Sequence, residues 1–511
     1  MVSRKARAAT NHWESLKVKM SERMDVLEGA GSPMDECPVD IAVVGCGYVG
    51  LVAAVCFAEI GHRVVCVDSD GAKIAALRQG CIPIHEPCLE ELLRSQPQGR
   101  LTFSTSLPDA VRASQVVFIA VGTPPLESGD ADLSSVEAVA VELAHSIDSY
   151  KVIVEKSTVP VYTSDWIARI LRRNGVQPDQ ADVVSNPEFL REGTAVTDFL
   201  CPDRIVVGTA SERAFRLMDR IYRPLTEGSY YRKPGSISLF FNQPKPAPLV
   251  HTSAKSAELI KHASNAFLAM KISFINSVAN LCEAVGASIE EVSHGVGMDH
   301  RIGTGFLSAG LGYGGSCFPK DIKAFCAIGE QLGTELTLLR EVERINERQR
   351  ELFLRKIRST LWNLRGKKIA ALGLAFKGGT DDIRESPAIA MVRSLLAEGC
   401  RVTAYDPAAI ENARRELDSH HLSFAASPYA AMDGADALLL LTDWPEFARL
   451  DLDQVKARLA LPIVFDGRNL YRCAEMAERG FTYISVGRPA TVAGSEMLLA
   501  RARNAVPYHV A

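Results

Sequence analysis

Val39-Asp-Ile-Ala-Val-Val-Gly45-Cys-Gly47-Tyr-Val-Gly50 is an apolar run that breaks into Gly-x-Gly-x-x-Gly. The helix-like stretch Leu51–Ile60 follows, and then a second apolar run, Arg63-Val-Val-Cys-Val-Asp68. A glycine triplet alone is a weak signal, but strand, turn, helix and strand in this order open a doubly wound parallel sheet. In that setting Gly45 permits the tight turn, Gly47 lets the backbone approach a pyrophosphate, and Gly50 allows close packing of helix on strand. Asp68 closes the second strand, where a carboxylate accepts hydrogen bonds from the adenosine ribose and repels a 2′-phosphate. NAD is the dinucleotide this arrangement selects. A doubly wound domain that binds no dinucleotide is the alternative these residues leave open.

The same alternation continues downstream. Ile41–Val44, Val64–Val67, Val116–Val121, Val152–Glu155, Val183–Ser185 and Ile205–Gly208 are strand-like runs separated by helical stretches, as in a sheet covered on both faces. Residues 227–250, with Pro234, Pro244, Pro246 and Pro248, make a poor core and read as a linker or insertion. From Ser253 to about Val285 there is no proline or glycine, and apolar residues such as Leu259, Ile260, Phe267, Met270, Phe274 and Val278 recur at helical spacing. This predicts a long, largely buried helix suited to joining domains and meeting a symmetry mate. Beyond it, Lys367-Lys-Ile-Ala-Ala-Leu-Gly373-Leu-Ala-Phe-Lys377 is again strand-to-glycine, followed by a helix from Pro387 to Glu398 and by Arg401-Val-Thr-Ala-Tyr-Asp406. Strands at Ala437–Thr442 and Ile463–Asp466 complete a second doubly wound domain that lacks the glycine fingerprint. Lys377 in its turn could hold a different nucleotide by charge, or the domain could be a duplicate kept for packing.

Size and charge bound the partners. A chain of 511 residues exceeds one core, and with 23% charged residues and a net charge of −4 it presents no broad basic field for nucleic acid. No uninterrupted apolar run reaches membrane-spanning length and residues 1–36 lack a signal-peptide core, so no membrane partner and a cytoplasmic location are expected. Those first residues read as a mobile extension, and because Met24 and Met34 both precede the first strand, residues 1–33 need not belong to the working protein. The 12 cysteines are scattered without CxxC pairs, which supports neither a disulfide framework nor a metal site.

One cysteine stands apart. Gly312-Tyr-Gly-Gly-Ser-Cys317-Phe-Pro319-Lys320-Asp321 delivers Cys317 from a glycine-rich turn to a proline that predicts a helix start at Pro319. The positive helix end and the Lys320 cation favour the thiolate, the form that attacks carbonyl carbon. Locally, a buried structural cysteine fits as well. Three other patterns carry polar groups at suggestive spacing. Glu188 and Glu192 in Asn186-Pro-Glu-Phe-Leu-Arg-Glu-Gly, and Lys261 and Asn265 on the long helix, are each four residues apart, while Glu155-Lys-Ser-Thr158-Val-Pro160 leaves a strand end. Each alone also fits solvated surface or turn.

Together these patterns resemble the UDP-glucose/GDP-mannose dehydrogenase family, and within it the UDP-glucose 6-dehydrogenase branch, from about residue 38 to 490. Glu155-Lys-Ser-Thr158-Val-Pro, Asn-Pro-Glu188-Phe-Leu-Arg-Glu192-Gly-Thr, Lys261-His-Ala-Ser-Asn265-Ala-Phe, the Cys317 turn, Phe376-Lys377-Gly-Gly-Thr-Asp-Asp-Ile-Arg384-Glu-Ser and Phe465-Asp-Gly-Arg468-Asn appear in family order. The resemblance implies an α/β chain of two doubly wound Rossmann-like domains joined by a long central helix and a helical dimerisation domain. Its layout would be an extension (1–36), an NAD-binding Rossmann domain (37–226), the Pro-rich segment (227–250), a central dimerisation domain carrying the cysteine (251–346), a UDP-sugar-binding domain (347–490) and a tail (491–511). It also implies two oxidations of UDP-glucose at C6 by two NAD⁺, with Cys317 as nucleophile and a homodimer or higher oligomer as the assembly.

By the same resemblance Lys261 stabilises an oxyanion, Asn265 positions the sugar, Asp321 with Thr158 holds or activates water, and Glu188 assists proton transfer. Gly45, Gly47, Tyr48, Val49, Gly50, Asp68, Lys73, Thr123, Thr158, Glu192, Lys320 and Arg384 would face NAD. Glu188, Phe189, Leu190, Lys261, Asn265, Gly314, Phe318, Lys377 and Arg468 would face the UDP-sugar, with Arg301 reaching a neighbouring subunit's substrate. The branch sharing this thiolate strategy on GDP-mannose is the alternative substrate class. A non-catalytic nucleotide-sugar sensor is the alternative function, against which the set Cys317, Lys261 and Asp321 argues.

Overall fold

Strand β1 (Asp40–Val44) runs into a turn that only glycine can make, and the first sheet is built around it. The structure, a computed structural model, describes residues 38–126, 129–233, 236 and 244–491. The expected extension 1–36, nearly all of the tail and part of the Pro-rich segment lie outside the described residues. The chain divides into two compact units, 38–264 with 323–334 and 265–322 with 335–491.

The first unit holds an eight-stranded sheet in the order β3-β2-β1-β4-β5-β6-β7-β8. Its other strands are β2 (Arg63–Val67), β3 (Leu101–Ser104), β4 (Val116–Ile119), β5 (Lys151–Glu155), β6 (Ala181–Ser185), β7 (Ile205–Gly208) and β8 (Leu249–Thr252). Neighbours run parallel except β6 and β7, which meet antiparallel through Ser185 and Gly208. Helix α1 (Tyr48–Glu59) is buried from Gly50 onward, which explains why its sequence is apolar on every side. Two strands escape the pattern reading. β3 lies at the sheet edge with only partial burial, so its sequence need not alternate. β8 emerges from the end of the Pro-rich stretch read as linker or insertion and pairs in parallel with β7.

The second unit repeats the plan with β9 (Lys368–Leu372), β10 (Arg401–Tyr405), β11 (Leu422–Phe424), β12 (Ala437–Leu440), β13 (Ile463–Asp466) and β14 (Thr482–Ser485). All are parallel, in the order β11-β10-β9-β12-β13-β14, the same winding as the first six strands of the other sheet. In both sheets the order reverses beside the first strand, where such folds leave a crevice for ligands.

Helix α2 (Ala254–Val285) matches the expected span, but it is not largely buried. Ile275, Ala279 and Cys282 pack into the core of the second unit, while Phe267, Phe274 and Leu281 are 58%, 55% and 58% exposed. By length and composition α2 also meets the minimum for a membrane crossing. Glu258, Lys261, His262, Asn265, Ser273 and Asn276 are nonetheless buried along it. Helix α3 (Cys317–Gln331) begins two residues before Pro319. The proline still costs no hydrogen bond, because the first-turn N–H groups have no intrahelical acceptor. Helix α4 (Thr337–Leu361) then contributes Phe353, Leu354 and Ile357 to the same core.

Every residue of β5 is buried, including its last, Glu155. Glu155 Oε1 accepts a hydrogen bond from Ser157 N–H at 2.6 Å, whereas Oε2 accepts none among the described residues. Burial pushes its carboxyl up to about 8, with the nearby Glu258 charge adding to the rise and Ser157 opposing it. A carboxyl raised in the fold lends stability that is complete below its unfolded value and is lost as pH rises through the folded value. Glu155→Gln removes that titration. Relative to wild type, the variant's unfolding free energy from urea titration should climb between pH 5 and pH 8, by about 1 kcal/mol or more. A pH-independent difference would show that Glu155 is ionised in the fold throughout.

Candidate functional site

The turn after β1 shows why its glycines are glycines. Gly45 has φ +102°, and a Cβ on it would lie 2.6 Å from Ala120 O, while a Cβ on Gly50 would lie 1.8 Å from Gly45 O. Gly47 is exposed and a Cβ there would meet nothing within 4 Å, leaving bare backbone open to an incoming group. Asp68, just past β2, accepts hydrogen bonds from Cys46 N–H at 2.8 Å, Asp70 N–H at 3.0 Å and Lys73 Nζ at 3.0 Å. Burial opposes its charge, but these donors outweigh it and hold the carboxyl below the usual range. Thr123 Oγ1 donates to Thr158 O at 2.8 Å, tying the loops after β4 and β5 together. An open Gly47 backbone next to a fixed, ionised Asp68 fits a dinucleotide pyrophosphate and ribose.

Still within the first unit, β6 ends at Asn186-Pro187-Glu188. Glu188 and Lys261 form a buried ion pair, Nζ to Oε1 2.7 Å, and Glu188 Oε2 also accepts from Leu190 N–H at 2.5 Å. Burial works against the Glu188 charge, yet the Lys261 cation and the Leu190 N–H keep its carboxyl below the ordinary value. The Phe189 ring is flanked by cations, with the Arg204 guanidinium 3.5 Å and Lys261 Nζ 5.7 Å from its centroid. Sequence reading missed Lys156, which is buried and donates to Asn186 Oδ1 at 3.1 Å. Burial brings its ammonium down to about 8, partly offset by Glu188. The only signal for it was its place between Glu155 and Thr158 at a strand end.

In the second unit the turn leading to Cys317 is clamped by polar side chains. Tyr313 N–H donates to Asn346 Oδ1 at 2.8 Å and Asn346 Nδ2 returns a bond to Tyr313 O at 3.0 Å. Gly310 is held from both sides, its N–H by Asn276 Oδ1 at 2.9 Å and its carbonyl by Gln349 Nε2 at 3.0 Å. Pattern reading did not single out Asn276, Asn346 or Gln349, which looked like ordinary polar positions on helices. Cys317 occupies the first turn of α3, half-buried, with Ser316 Oγ 3.7 Å from its Sγ. Phe318 packs edge-on against Tyr313 at 5.9 Å, and Gly314 is buried beneath the same turn.

Asp321, 1% exposed, lies on the next turn of α3. Its Oδ2 accepts from Asn265 Nδ2 at 2.5 Å, while Oδ1 has no hydrogen bond among the described residues and lies 3.8 Å from Lys320 Nζ. Arg468 is pinned by donating to Leu441 O at 2.9 Å and Phe376 O at 2.8 Å. With Ile272, Phe306, Ser308, Gly310 and Gly312 it lines a cavity of about 240 Å³. Lys377 Nζ lies 5.5 Å from the centre of the Phe376 ring. Arg384 joins the cysteine turn only through its carbonyl, which accepts a hydrogen bond from Gly315 N–H at 3.0 Å, and Arg301 is not drawn into either cluster. Each is mostly exposed and paired at 2.6 Å with an aspartate two residues earlier, Asp299 and Asp382. Among the described residues no three His, Cys, Asp or Glu side chains converge as a metal site.

Three family models match the chain: the NAD binding domain of the UDP-glucose/GDP-mannose dehydrogenase family over residues 39–226, its central domain over 255–348 and its UDP binding domain over 370–473. UDP-glucose 6-dehydrogenase of Rhizobium meliloti is 49% identical over 454 residues, covering 88% of this chain and 99% of the relative. UDP-glucose 6-dehydrogenase TuaD of Bacillus subtilis is 45% identical over 457 residues, 89% of this chain and 94% of the relative. Among solved structures, a UDP-glucose dehydrogenase from Pyrobaculum islandicum superposes with a TM-score of 0.78 at 39% identity, covering 89% of this chain and 99% of that one. The glycine turn with Asp68, the clamped Cys317 loop and these matches lead to one conclusion: the chain belongs to the UDP-glucose/GDP-mannose dehydrogenase family.

Proposed function

We propose that this chain oxidises UDP-glucose to UDP-glucuronate. The observation that carries the reading is the pairing on α3 of Cys317 in the first turn with Asp321, a buried carboxylate whose Oδ1 accepts no hydrogen bond among the described residues and faces the Lys320 ammonium. NAD⁺, when bound, supplies the hydride acceptor for both oxidations. In the chain's own part of the chemistry, the Cys317 thiolate adds to the C6 aldehyde and the oxygen takes up a proton, giving a thiohemiacetal. Loss of hydride from that carbon, together with the proton of its hydroxyl, leaves a thioester. Water then attacks the thioester carbonyl, the C–S bond breaks, and the thiolate is restored. Lys261 stabilises the oxygen as charge develops on it, and Glu188, its ion-pair partner, takes part in proton transfer. Asn265 fixes Asp321, which with Thr158 holds the attacking water. Asp68 and the Gly47 backbone hold the dinucleotide, and Arg468 and Lys377 face the UDP-sugar.

NADH absorbance after adding UDP-glucose, GDP-mannose or a UDP-N-acetylhexosamine separates the substrate classes. Two NADH per UDP-glucose and none from the others is expected. A serine at position 317 is a weaker nucleophile and a poorer leaving group, so Cys317→Ser should lose glucuronate formation at least a thousandfold while still binding UDP-glucose. Near-normal turnover by that variant would end the covalent reading.

The exposed stripe Phe267, Phe274 and Leu281 repeats every seven residues along one face of α2, the spacing of a helix that packs on a partner helix. We assign it to a homodimer seam, with Arg301, 78% exposed in its side chain, reaching the partner's substrate. Arg301→Ala and Cys317→Ser should each be nearly inactive alone. Random hybrids of the two contain one intact site, so mixing by co-refolding should restore roughly a quarter of wild-type activity. Hybrids that form without regaining activity would confine Arg301 to its own subunit.

A further inference from the structure

Glu86 is a carboxylate that the proposed chemistry does not use, yet it is 8% exposed and lies outside any helix or strand. Its Oε2 accepts hydrogen bonds from the hydroxyl of Tyr48, the first residue of α1, and from Gly193 N–H at 2.7 Å. Gly193 N–H is shared, since it also points to Tyr48 Oη at 2.8 Å. Glu86 Oε1 takes up Val196 N–H at 3.4 Å, in the first turn of the helix Ala195–Leu200, whose N-cap residue Thr194 offers no side-chain cap. A single buried carboxylate thus caps one helix and bonds to the first residue of another.

The two segments it joins are those that matter. Tyr48 directly follows Gly47 in the glycine turn. Gly193 follows Glu188-Phe-Leu-Arg-Glu192, a stretch otherwise anchored by the Glu188–Lys261 ion pair and by Arg191 on Asp198 at 2.6 Å. Gly193 has φ +79°, so this turn depends on glycine and on the acceptors that catch its N–H. We propose that Glu86, with Tyr48 as its relay, is a positioning residue that locks the 188–193 loop to the cofactor-binding turn and so sets the affinity for both NAD and UDP-glucose. This rests on the proposed function and on the family resemblance that assigns Glu188 to the sugar and Glu192 to the cofactor.

Calorimetric Kd values for NAD and UDP-glucose, together with kcat, test it in Glu86→Ala, Glu86→Gln and Tyr48→Phe. Glu86→Ala should weaken both ligands fivefold or more with kcat kept within threefold, and Tyr48→Phe should weaken UDP-glucose as well as NAD. Glu86→Gln retains an amide oxygen for Gly193 and Tyr48 and should recover most of the affinity. In the double variant Tyr48→Phe/Glu86→Ala the losses should not add, because both act through Gly193 N–H. Wild-type Kd values for both ligands in folded Glu86→Ala, or a loss confined to NAD in all three variants, would overturn the proposal. If Glu86→Ala does not fold, the other two variants carry the same test. Because Kd needs no turnover, a wild type that binds both ligands without producing NADH would refute the proposed activity and leave the lock measurable. If UDP-glucose does not bind at all, the NAD Kd of Glu86→Gln against Glu86→Ala still reads it.

Discussion

Lys261 and Glu188 are both removed from water, each side chain 5% exposed, and the cost of that removal shapes what surrounds them. A buried ion pair is tolerated only when its geometry is close and its remaining valences are filled, and losing one partner typically costs about 3–5 kcal/mol. The fold meets the condition. The pair is 2.7 Å apart, Leu190 N–H satisfies the second Glu188 oxygen, and the Phe189 ring lies against the Lys261 ammonium. The second buried ammonium, Lys156, is kept near Asn186 and eased towards neutrality by burial. Polar groups arranged this way need little reorganisation when a substrate oxygen arrives.

The duplicated winding sharpens the contrast of the two sheets. Asp406, just past β10, holds the place that Asp68 holds past β2, but it accepts from Leu374, Ala375, Ala408 and Ala409 N–H groups and from Trp444 Nε1. Where the first turn has exposed Gly47, the second has Ala375, fully buried. The second turn is closed by its own chain and has no bare backbone for a pyrophosphate. Beside it, Arg468 is fixed by the carbonyls of Leu441 and Phe376. This division agrees with the family models, which match NAD binding to the first region and UDP binding to the second.

Most of the fold was legible because parallel strands buried on both faces read as short apolar runs and the helices that join them interrupt those runs. The edge strands β3, β8, β11 and β14 were not, since β3 and β11 are only partly buried and the stretch leading to β8 is rich in proline. The start of α3 was missed by two residues because a proline is compatible with any position in the first turn. Exposure of Phe267, Phe274 and Leu281 could not be read either, for an apolar stripe looks the same whether it meets its own core or another chain. Motif residues such as Asp68, Glu188, Lys261 and Cys317 stood out through their neighbours in sequence. Glu86, Asn276, Asn346 and Gln349 reach backbone groups 33 to 110 residues away. No local spacing encodes such a bond.

The proposed account turns on a carbon–sulfur bond at Cys317. Replacing Asp321 by asparagine should slow thioester hydrolysis more than either oxidation, so Asp321→Asn enzyme quenched in acid after a single turnover of UDP-glucose with NAD⁺ should retain the acyl group. Peptide mass spectrometry is then predicted to find the Cys317 peptide heavier by one UDP-glucuronyl group, with loss of the adduct on hydroxylamine treatment. An unmodified Cys317 peptide alongside full NADH release, or an adduct on any other residue, would contradict the account.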